Sequence, residues 1–375
     1  QFHYETKVVD VKFDIDGKRK QASSVVVEHA GETNTIDLVF SGHEHRNGVT
    51  EIENADGKIV NVISPSTKCN MIGQALVTFD KDTKEVTVTA ENVDMKDYPV
   101  DEAMAAALKS YEDETWNDYM LQPIGKADGD FPAANLGFGP SAFMDLINQV
   151  QIWGAYDNTG LNTPDDPSDD TPAQLSISAP LTSGDRENLI PAGDIVLGDM
   201  FGLYRYENWF YQITMSGKEV RTWLECSASK INTDENGQPA MDPWALTYYD
   251  VIYGDGFDYT IDYTAASGSR IASMTYNGEE VKDDDTFTVV VNNYRYNGGG
   301  DYIQYLNTHG CSFTPNDQER IVYSTQYDMI QGEDMGQART LLMNYIQTKG
   351  TISPEIKSTW KLVDGKTNQF AVLST

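Results

Sequence analysis

The sequence predicts a mixed fold of α-helices and β-strands, either α/β or α+β, in a chain of 375 residues. Short apolar or alternating runs of strand length recur in both halves of the chain. Two segments, 101–111 and 139–153, instead carry strong helix formers or an amphipathic pattern. The length allows two or three domains with a sizeable core, and no internal repeat is visible.

The first hundred residues are predicted to be rich in strands. Alternation and short apolar runs predict strands within 7–13, 24–27, 35–40, 61–79 and 84–90. The last two form an antiparallel pair, because the Asp80-Lys-Asp-Thr run between them has the composition of a turn. A helix follows at 101–111, with Asp101 placed to cap it and Pro99 shortly before. We place a domain boundary on this helix.

Helices and strands alternate in the remainder of the chain. The segment 139–153 is predicted to be a helix with Pro140 in its first turn, and the acidic, proline-rich 162–172 is predicted to be an exposed loop. Further helices are predicted at 217–226 and 337–348, and further strands at 174–179, 211–215, 258–263, 270–276 and, as the last one, 358–362. The Tyr276-Asn-Gly-Glu run is typical of a hairpin turn.

Charge excludes one class of partner. The chain has 27 Lys and Arg against 58 Asp and Glu, which gives a formal net charge of -31. Such a surface repels polymeric DNA and RNA, although a small phosphate ester can still bind where metal ions or a few Arg overcome the repulsion locally. No apolar run is long enough to span a membrane. Cys69, Cys226 and Cys311 are too few and scattered for a disulfide framework, so we expect them to be buried apolar residues.

Two aromatic stretches are candidates for a nucleobase site. One is Val289-Val-Val-Asn-Asn-Tyr-Arg-Tyr-Asn-Gly-Gly-Gly-Asp301, predicted to be a strand covered on both faces that ends in a glycine-rich turn. The other is Leu203-Tyr-Arg-Tyr-Glu-Asn-Trp209. Aromatic strand ends also occur as ordinary core and rim, but aromatic faces with amide side chains beside them are what a protein needs to hold a nucleobase.

Histidines near two strand ends are candidates for metal ligands. His43 and His45 follow a predicted strand and Gly42, and at this spacing both can project to the same side. His29 ends another predicted strand. Paired imidazoles on one side are a metal-site geometry, whereas His3 and His309 have no such context and are interpreted as structural or surface residues.

With these motifs the chain resembles the bacterial 5'-nucleotidase superfamily, and more closely its 2',3'-cyclic-nucleotide 2'-phosphodiesterase/3'-nucleotidase branch. The resemblance rests on Leu203-Tyr-Arg-Tyr-Glu-Asn208, Gly217-Lys-Glu-Val220, Tyr249-Asp-Val-Ile-Tyr-Gly254 and Asn292-Asn-Tyr-Arg-Tyr-Asn-Gly-Gly-Gly300. It implies a partial calcineurin-like metallophosphoesterase domain at 1–100, a connector helix at 101–118, and a C-terminal nucleotide-specificity domain at 119–375.

The resemblance also implies roles for individual residues. Tyr206 and Tyr294 would stack on either side of the base, with Asn208 near its edge. Asn293, Gly298 and Gly299 would shape the pocket. Gly300 occupies the place of the family's aspartate and Asp301 follows it, so the resemblance gives Asp301 no ribose contact.

Gly42-His43-Glu44-His45 resembles the family's Gly-His-x-His metal motif, and His29 resembles its lone upstream histidine ligand. The family binds two divalent metal ions, such as Mn, Zn or Co. Its Asp-x-His, Gly-Asp and Gly-Asn-His-Asp/Glu motifs, which supply the bridging ligand and the catalytic His, are absent from this sequence. The metal site would then be incomplete, so we expect this chain to be a C-terminal part of a longer enzyme, inactive alone, with its catalytic residues unknown.

Three functions remain open at this stage. The leading one is metal-dependent hydrolysis of 2',3'-cyclic nucleotides and 3'-nucleotides by the longer protein, in which this chain recognises the nucleoside. The second is a 5'-nucleotidase or nucleotide-sugar hydrolase, which Ser178-Ala-Pro-Leu-Thr-Ser-Gly-Asp-Arg186 in place of that branch's Gly-Gly-Gly-Ile-Arg disfavours. The third is a nucleoside-binding module without catalysis. The resemblance implies an extracellular, periplasmic or cell-wall location.

Overall fold

The structure is a computed structural model that describes residues 36–42, 45–54, 57–134, 136–156, 171–180, 187–326, 336–366 and 369–370. The chain divides into two compact units, Gln1–Lys109 and Ser110–Thr375. The mixed α and β composition predicted from the sequence is confirmed. The predicted strands at 7–13 and 24–27 and most of the acidic segment 162–172 lie outside the described residues.

The described part of the first unit contains a small sheet and a hairpin. Its strands are β1 (Leu38–Phe40), β2 (Asn47–Glu53), β3 (Ile59–Pro65), β4 (Met71–Phe79) and β5 (Val86–Asp94). Strand β3 is central, parallel to β1 and antiparallel to β2. Strands β4 and β5 pair along their whole length, as predicted, and the Asp80 carboxylate accepts hydrogen bonds from the backbone N–H groups of Asp82 and Thr83 in the turn.

The helix predicted at 101–111 is present as α1 (Glu102–Glu114). Asp101 caps it as predicted, because its Oδ1 accepts hydrogen bonds of 3.0 Å from the backbone N–H groups of Ala103 and Met104. A wider π-helical turn, Thr115–Met120, continues it. The division between the two units falls inside α1.

The second unit contains the remaining elements. Its strands are β6 (Pro123–Ala127), β7 (Phe131–Pro132), β8 (Leu175–Ser178), β9 (Asn188–Ile190), β10 (Gly193–Val196), β11 (Phe210–Ser216), β12 (Asn232–Thr233), β13 (Pro239–Ala240), β14 (Val251–Tyr253), β15 (Phe257–Asp262), β16 (Ile271–Tyr276), β17 (Glu279–Glu280), β18 (Thr286–Asn292), β19 (Ile321–Ser324), β20 (Thr351–Ile352), β21 (Lys361–Asp364) and β22 (Gln369–Phe370). Its helices are α2 (Ala142–Gly154), α3 (Leu197–Leu203), α4 (Gly217–Ala228), α5 (Pro243–Leu246), α6 (Asn293–Tyr296), α7 (Tyr302–Thr308) and α8 (Ala338–Lys349).

A five-stranded mixed sheet lies at the centre of this unit, in the order β14-β8-β18-β11-β19. Strand β18 is parallel to β8 and antiparallel to β11. The three consecutive valines from Val289 to Val291 are fully buried, which confirms the prediction of a strand covered on both faces. Because β18 and β11 are antiparallel, the C-terminal end of β18 lies beside the start of β11.

Helices α2 and α4 are fixed to the sheet region by specific polar contacts. On α2, the fully buried Gln151 donates hydrogen bonds from Nε2 to Ser176 Oγ (2.7 Å) and to the Ile177 carbonyl (2.9 Å) of β8. Helix α4 begins with a capping box, in which Ser216 Oγ accepts from the Glu219 N–H and the Glu219 carboxylate accepts from the Ser216 N–H. The large hydrophobic cluster of the described residues extends from Ile124 to Leu362, inside the second unit, and Val60, Val62 and Ile63 are buried on β3 of the first unit.

The second large sheet of this unit has the order β17-β16-β15-β21-β22, and a three-stranded sheet has the order β10-β6-β20. Strands β15 and β16 pair antiparallel, as predicted. The Tyr276-Asn-Gly-Glu hairpin is confirmed, since Asn277 (φ 52°) and Gly278 (φ 83°) both have the left-handed conformation that such a two-residue turn requires.

Three details differ from the sequence prediction. Helix α2 begins at Ala142 with Ser141 as its N-cap, so Pro140 precedes the helix instead of lying in its first turn. The strand predicted last begins at Lys361, and β22 still follows it. Cys69 is exposed with φ 57° in the turn between β3 and β4, whereas Cys226 and Cys311 are buried as expected.

Candidate functional site

The two aromatic stretches singled out in the sequence lie next to each other at one end of two paired strands of the central sheet, β11 and β18. Strands β11 and β18 pair antiparallel, with Phe210 opposite Asn292 at one end and Ser216 opposite Thr286 at the other. The loop that precedes β11 and the short helix α6 that follows β18 therefore lie side by side. Residues more than eighty positions apart in the sequence are joined in this way.

Tyr206 is presented by a loop whose backbone is fixed. The Asn208 carbonyl accepts a hydrogen bond of 2.7 Å from the Ala338 N–H at the start of α8. The Arg339 guanidinium binds the Glu207 carboxylate at 2.9 Å and donates to the carbonyls of Tyr204 and Arg205, both at 3.3 Å. The Tyr206 side chain is 61% exposed on this anchored loop.

Asn208 lies behind the loop and is 7% exposed. The hydroxyl group of the fully buried Tyr204 accepts a hydrogen bond of 3.4 Å from Asn292 Nδ2. Burial raises the pKa of Tyr204, so this phenol is protonated at neutral pH. An amide such as that of Asn208 offers two donor hydrogens and an acceptor oxygen for hydrogen bonding. Its position near the edge of a base stays a prediction.

Asn293 connects the two stretches directly. Its backbone N–H donates to the Trp209 carbonyl at 2.9 Å, and its Oδ1 accepts from the Trp209 N–H at 3.2 Å. These two bonds continue the β11–β18 ladder by one step beyond the strands. Asn293 therefore fixes the spacing between the Tyr206 loop and α6.

Tyr294, which is 46% exposed, lies flat against the glycine-rich turn. A Cβ atom at Gly299 would lie 2.4 Å from two atoms of the Tyr294 ring, so a side chain at this position would displace the ring. Gly298 and Gly300 have φ values of 100° and 78°, which favour glycine. The absence of a side chain at Gly299 therefore makes room for the ring of Tyr294.

Three further residues lie beside Tyr294 and were not identified as site residues from the sequence. Arg295 and Asp250 form a buried ion pair, in which the Arg295 Nε and Nη2 atoms each lie 2.9 Å from Asp250 Oδ1. Burial alone would lower the pKa of Arg295, but the Asp250 carboxylate raises it, so the guanidinium is charged. The third residue is Tyr248, which is 38% exposed. The Arg295 guanidinium carbon lies 5.5 Å from the ring centres of both Tyr248 and Tyr294.

The local sequence contains no signal for this trio. Asp250 lies at the start of β14 and Arg295 lies on α6, so only the folded sheet brings them together. The Tyr249-Asp-Val-Ile-Tyr-Gly run was part of the family resemblance, but it carried no site assignment.

Comparison with known proteins gives the family of this region. Residues 123–308, which include both candidate stacking tyrosines, match the family model of the 5'-nucleotidase C-terminal domain. This region is a 5'-nucleotidase C-terminal domain. The superfamily resemblance inferred from the motifs is confirmed.

Two curated relatives show the extent of the similarity. A trifunctional nucleotide phosphoesterase of Bacillus subtilis is 26% identical over 395 residues, covering 92% of this chain and 25% of the relative. A 2',3'-cyclic-nucleotide 2'-phosphodiesterase/3'-nucleotidase of Salmonella typhimurium is 27% identical, covering 73% of this chain and 48% of the relative. The chain thus spans between a quarter and about half of the length of these proteins.

A solved structure confirms the fold. A Staphylococcus aureus protein assigned as a 5'-nucleotidase, crystallised with alpha-ketoglutarate, superposes with a TM-score of 0.66 at 19% sequence identity. The match covers 93% of this chain and 61% of that protein.

Of the three histidines predicted as metal ligands, one lies in the part of the chain that the structure describes. His29 and His43 lie outside the described part of the chain, and His45 is exposed, with φ 55°, shortly before β2. Among the residues that the structure describes, no group of three His, Cys, Asp or Glu side chains could hold a metal ion. The described residues therefore do not supply the ligand set that two divalent ions need.

A cavity of about 510 Å³ lies at the opposite end of the central strands, where β8 begins and β14 ends. Gln174 and Tyr253 contribute to its wall, together with Trp153, Tyr345 and Lys349. None of the sequence-predicted site residues lines it.

The described helices include none that is long and apolar enough to cross a membrane.

Proposed function

We propose that this chain recognises the nucleoside part of a nucleotide, within a longer phosphoesterase that hydrolyses 2',3'-cyclic nucleotides and 3'-nucleotides. The supporting observation is the pair of tyrosines, Tyr206 at 61% and Tyr294 at 46% exposure, on a loop and a short helix that follow the same end of two paired strands. Large aromatic side chains that are exposed on a fixed backbone suit stacking on a flat base. The domains outlined from the sequence, 1–100, 101–118 and 119–375, are part of this proposal.

The proposed substrate class follows from the branch that the sequence resembles. In that branch Tyr-Arg-Tyr-x-Asn replaces the Pro-Phe-Gly-Asn run of 5'-nucleotidases, and this chain has Tyr204-Arg-Tyr-Glu-Asn208. A base held between two rings is common to 3' and 5' substrates, so stacking alone does not select the phosphate position. Turnover of 2',3'-cyclic AMP and 5'-AMP by the longer protein tests this point, and a clear preference for 5'-AMP would contradict the proposal. The divalent metal requirement and the export expected from the resemblance stay predictions.

Isothermal titration of the 375-residue chain with adenosine and 3'-AMP, with and without Mn²⁺, tests nucleoside recognition. We expect weak binding of adenosine that does not depend on Mn²⁺, because the proposed contacts are aromatic and polar side chains of the described domain. A phosphatase assay run in parallel is expected to show no turnover by this chain alone. Absence of adenosine binding would contradict the proposed recognition role, and Mn²⁺-dependent hydrolysis would show that ligands of this chain complete a metal site.

Truncation of Tyr206 tests the stacking face directly. We expect Tyr206→Ala to weaken adenosine binding by about 1 to 3 kcal/mol, by analogy with bases stacked on aromatic side chains. Tyr206→Phe is the matched control, because it keeps the ring and loses only an exposed hydroxyl, and its affinity should remain close to that of the wild type. Equal adenosine affinities of the alanine and phenylalanine variants would show that the Tyr206 ring does not stack on the base.

A further inference from the structure

Arg339, in the first turn of α8, is attached to the Tyr206 loop at three points. Its Nε donates to the Tyr204 carbonyl and its Nη2 donates to the Arg205 carbonyl, both at 3.3 Å. Its Nη1 binds the Glu207 carboxylate at 2.9 Å. The three nitrogen atoms of one guanidinium therefore reach residues on both sides of Tyr206.

The guanidinium is itself supported from below. Its central carbon lies 4.2 Å from the ring centre of Phe201 on α3, within the range of cation–π attraction. The Arg339 side chain is 13% exposed, whereas that of its partner Glu207 is 60% exposed. The residue before Arg339 adds a fourth attachment, because the Ala338 N–H donates to the Asn208 carbonyl at 2.7 Å.

The start of α8 is fixed to the central sheet. The fully buried Thr325, which follows β19, donates from its hydroxyl to the Gly336 carbonyl at 2.6 Å and accepts from the Phe210 N–H of β11 at 3.0 Å. On α8 itself, Leu342 and Ile346 are buried in the core. Arg339 thus extends from a rigid part of the second unit to the loop.

These contacts bear on the geometry of the loop more than on overall stability. Ion pairs whose carboxylate is as exposed as that of Glu207 contribute little to stability. The hydrogen bonds to the Tyr204 and Arg205 carbonyls, however, fix the backbone immediately before Tyr206. A planar guanidinium can hold two carbonyls, a carboxylate and an aromatic face at once, which an ammonium group cannot do.

We propose that Arg339 is a positioning residue, which holds the Tyr206 ring ready as a stacking face for a nucleobase. This inference rests on the proposed nucleoside recognition and adds a residue that acts through Tyr206. A loop that is already ordered loses less conformational entropy on binding than one that the ligand must order. Arg339 therefore increases the affinity for the nucleoside without contacting it.

The affinity of Arg339→Gln for adenosine tests the proposal in the full 375-residue chain. This variant removes the fork and the charge, so its affinity should fall about threefold to tenfold, the cost of ordering one side chain on binding. Lys349→Gln is the matched control, because it removes a positive charge that lies 5.4 Å from the Tyr345 ring centre at the other end of α8. Its affinity should equal that of the wild type, and isothermal titration measures all three.

Hydrogen–deuterium exchange separates positioning from a general structural effect. In the ligand-free Arg339→Gln chain, peptides that cover residues 203–209 should exchange faster than in the wild type, while peptides from the second large sheet exchange at the same rate. Saturating adenosine should then restore the protection of the loop, because the ligand orders it on binding. A merely structural role would instead raise exchange throughout the second unit.

Three results would overturn the proposal: an unchanged affinity of Arg339→Gln, a lower affinity with unchanged exchange of residues 203–209, or faster exchange throughout the unit. If Arg339→Gln does not fold, Glu207→Gln decides by the same two measurements, with an expected loss of about twofold because it removes an exposed partner. A wild-type chain that fails to bind adenosine would contradict the proposed function. Exchange of the ligand-free chains would still show whether Arg339 fixes the loop, so the two failures are distinguishable.

Discussion

The three cysteines show how local conformation decides exposure at the scale of single residues. Cys226 on α4 is 4% exposed and Cys311 is 9% exposed, and both pack in the core of the second unit. Cys69 was also expected to be buried. It instead occupies a turn position with left-handed backbone conformation between β3 and β4, where its side chain is exposed. Composition predicts the typical environment of a residue type, whereas the turn that holds Cys69 overrides it.

Thiol labelling should distinguish these residues. Burial raises the pKa of Cys226 to about 11, so at pH 8 its thiol is protonated as well as inaccessible. We expect Ellman's reagent to react rapidly with one thiol per native chain and with three only after unfolding. Cys69→Ser should abolish the rapid phase. A rapid phase that survives in this variant would show that Cys226 or Cys311 is accessible in the native state.

At the scale of elements, Asp262 fastens the end of β15 to the turn after β21. Its Oδ1 accepts hydrogen bonds from the Thr264 N–H (2.9 Å), the Thr264 hydroxyl (2.7 Å) and the Gly365 N–H (3.0 Å). A Cβ at Gly365 would lie 1.9 Å from the second carboxylate oxygen, so only glycine allows this approach. Burial raises the pKa of Asp262, but these donors outweigh it and the net pKa is lowered from 3.8.

The stability contribution of this carboxylate should depend on pH. Because the pKa of Asp262 is lower in the folded chain than in the unfolded one, the carboxylate stabilises the fold above about pH 3.8, and the contribution is lost as the pH falls through the folded value. Asp262→Asn should therefore lower the free energy of unfolding by about 1 kcal/mol at pH 7, the difference between charged and neutral hydrogen bonds. Urea unfolding at several pH values measures it.

Glu279→Gln, an exposed substitution on β17 of the same sheet, is the matched control for loss of one negative charge. Its effect should be below about 0.5 kcal/mol at every pH. If Asp262→Asn lowers the free energy of unfolding as much well below pH 3.8 as at pH 7, the shape of the side chain is responsible and not its charge.

The elements also show how far sequence reasoning reaches. Local signals sufficed where the determinants are local: Asp101 caps α1, the helix predicted from Gly217 begins there, and Asn277-Gly278 forms the hairpin turn. The start of α2 was placed too early because a proline was favoured over Ser141, which is the actual N-cap. Tyr206 and Tyr294 were predicted from composition and family resemblance, and the β11–β18 pairing places the Tyr206 loop beside α6, which carries Tyr294. The Asp250–Arg295 pair was not predictable, since its two residues meet only in the folded sheet.

At the scale of the whole molecule, the large hydrophobic cluster of the described residues belongs to one unit. It runs from Ile124 to Leu362 and includes the fully buried Trp223 and Trp360. Both tyrosines of the candidate site, and the network around Arg295, lie in this same unit, Ser110–Thr375. A unit with its own core and its own polar networks is expected to fold independently.

A chain that begins at Ser110 and ends at Thr375 should therefore bind adenosine with the same affinity as the 375-residue chain. Cooperative thermal unfolding of this shorter chain, followed by circular dichroism, checks that it folds. Titration with adenosine then checks binding. A folded shorter chain whose affinity is more than about tenfold weaker, beyond 1.4 kcal/mol, would show that residues before Ser110 contribute to the site.

The central strand pairing has a consequence for the time course of folding. Strand β18 must pair with β8, more than a hundred residues earlier, and with β11, seventy or more residues earlier, before the middle of the sheet exists. Pairings between such distant segments form slowly, because a long loop must close before any contact rewards it. The Tyr206 loop and the Tyr294 helix are aligned only by these pairings, so the ability to bind a ligand should appear with the last kinetic phase of refolding, after most secondary structure has formed.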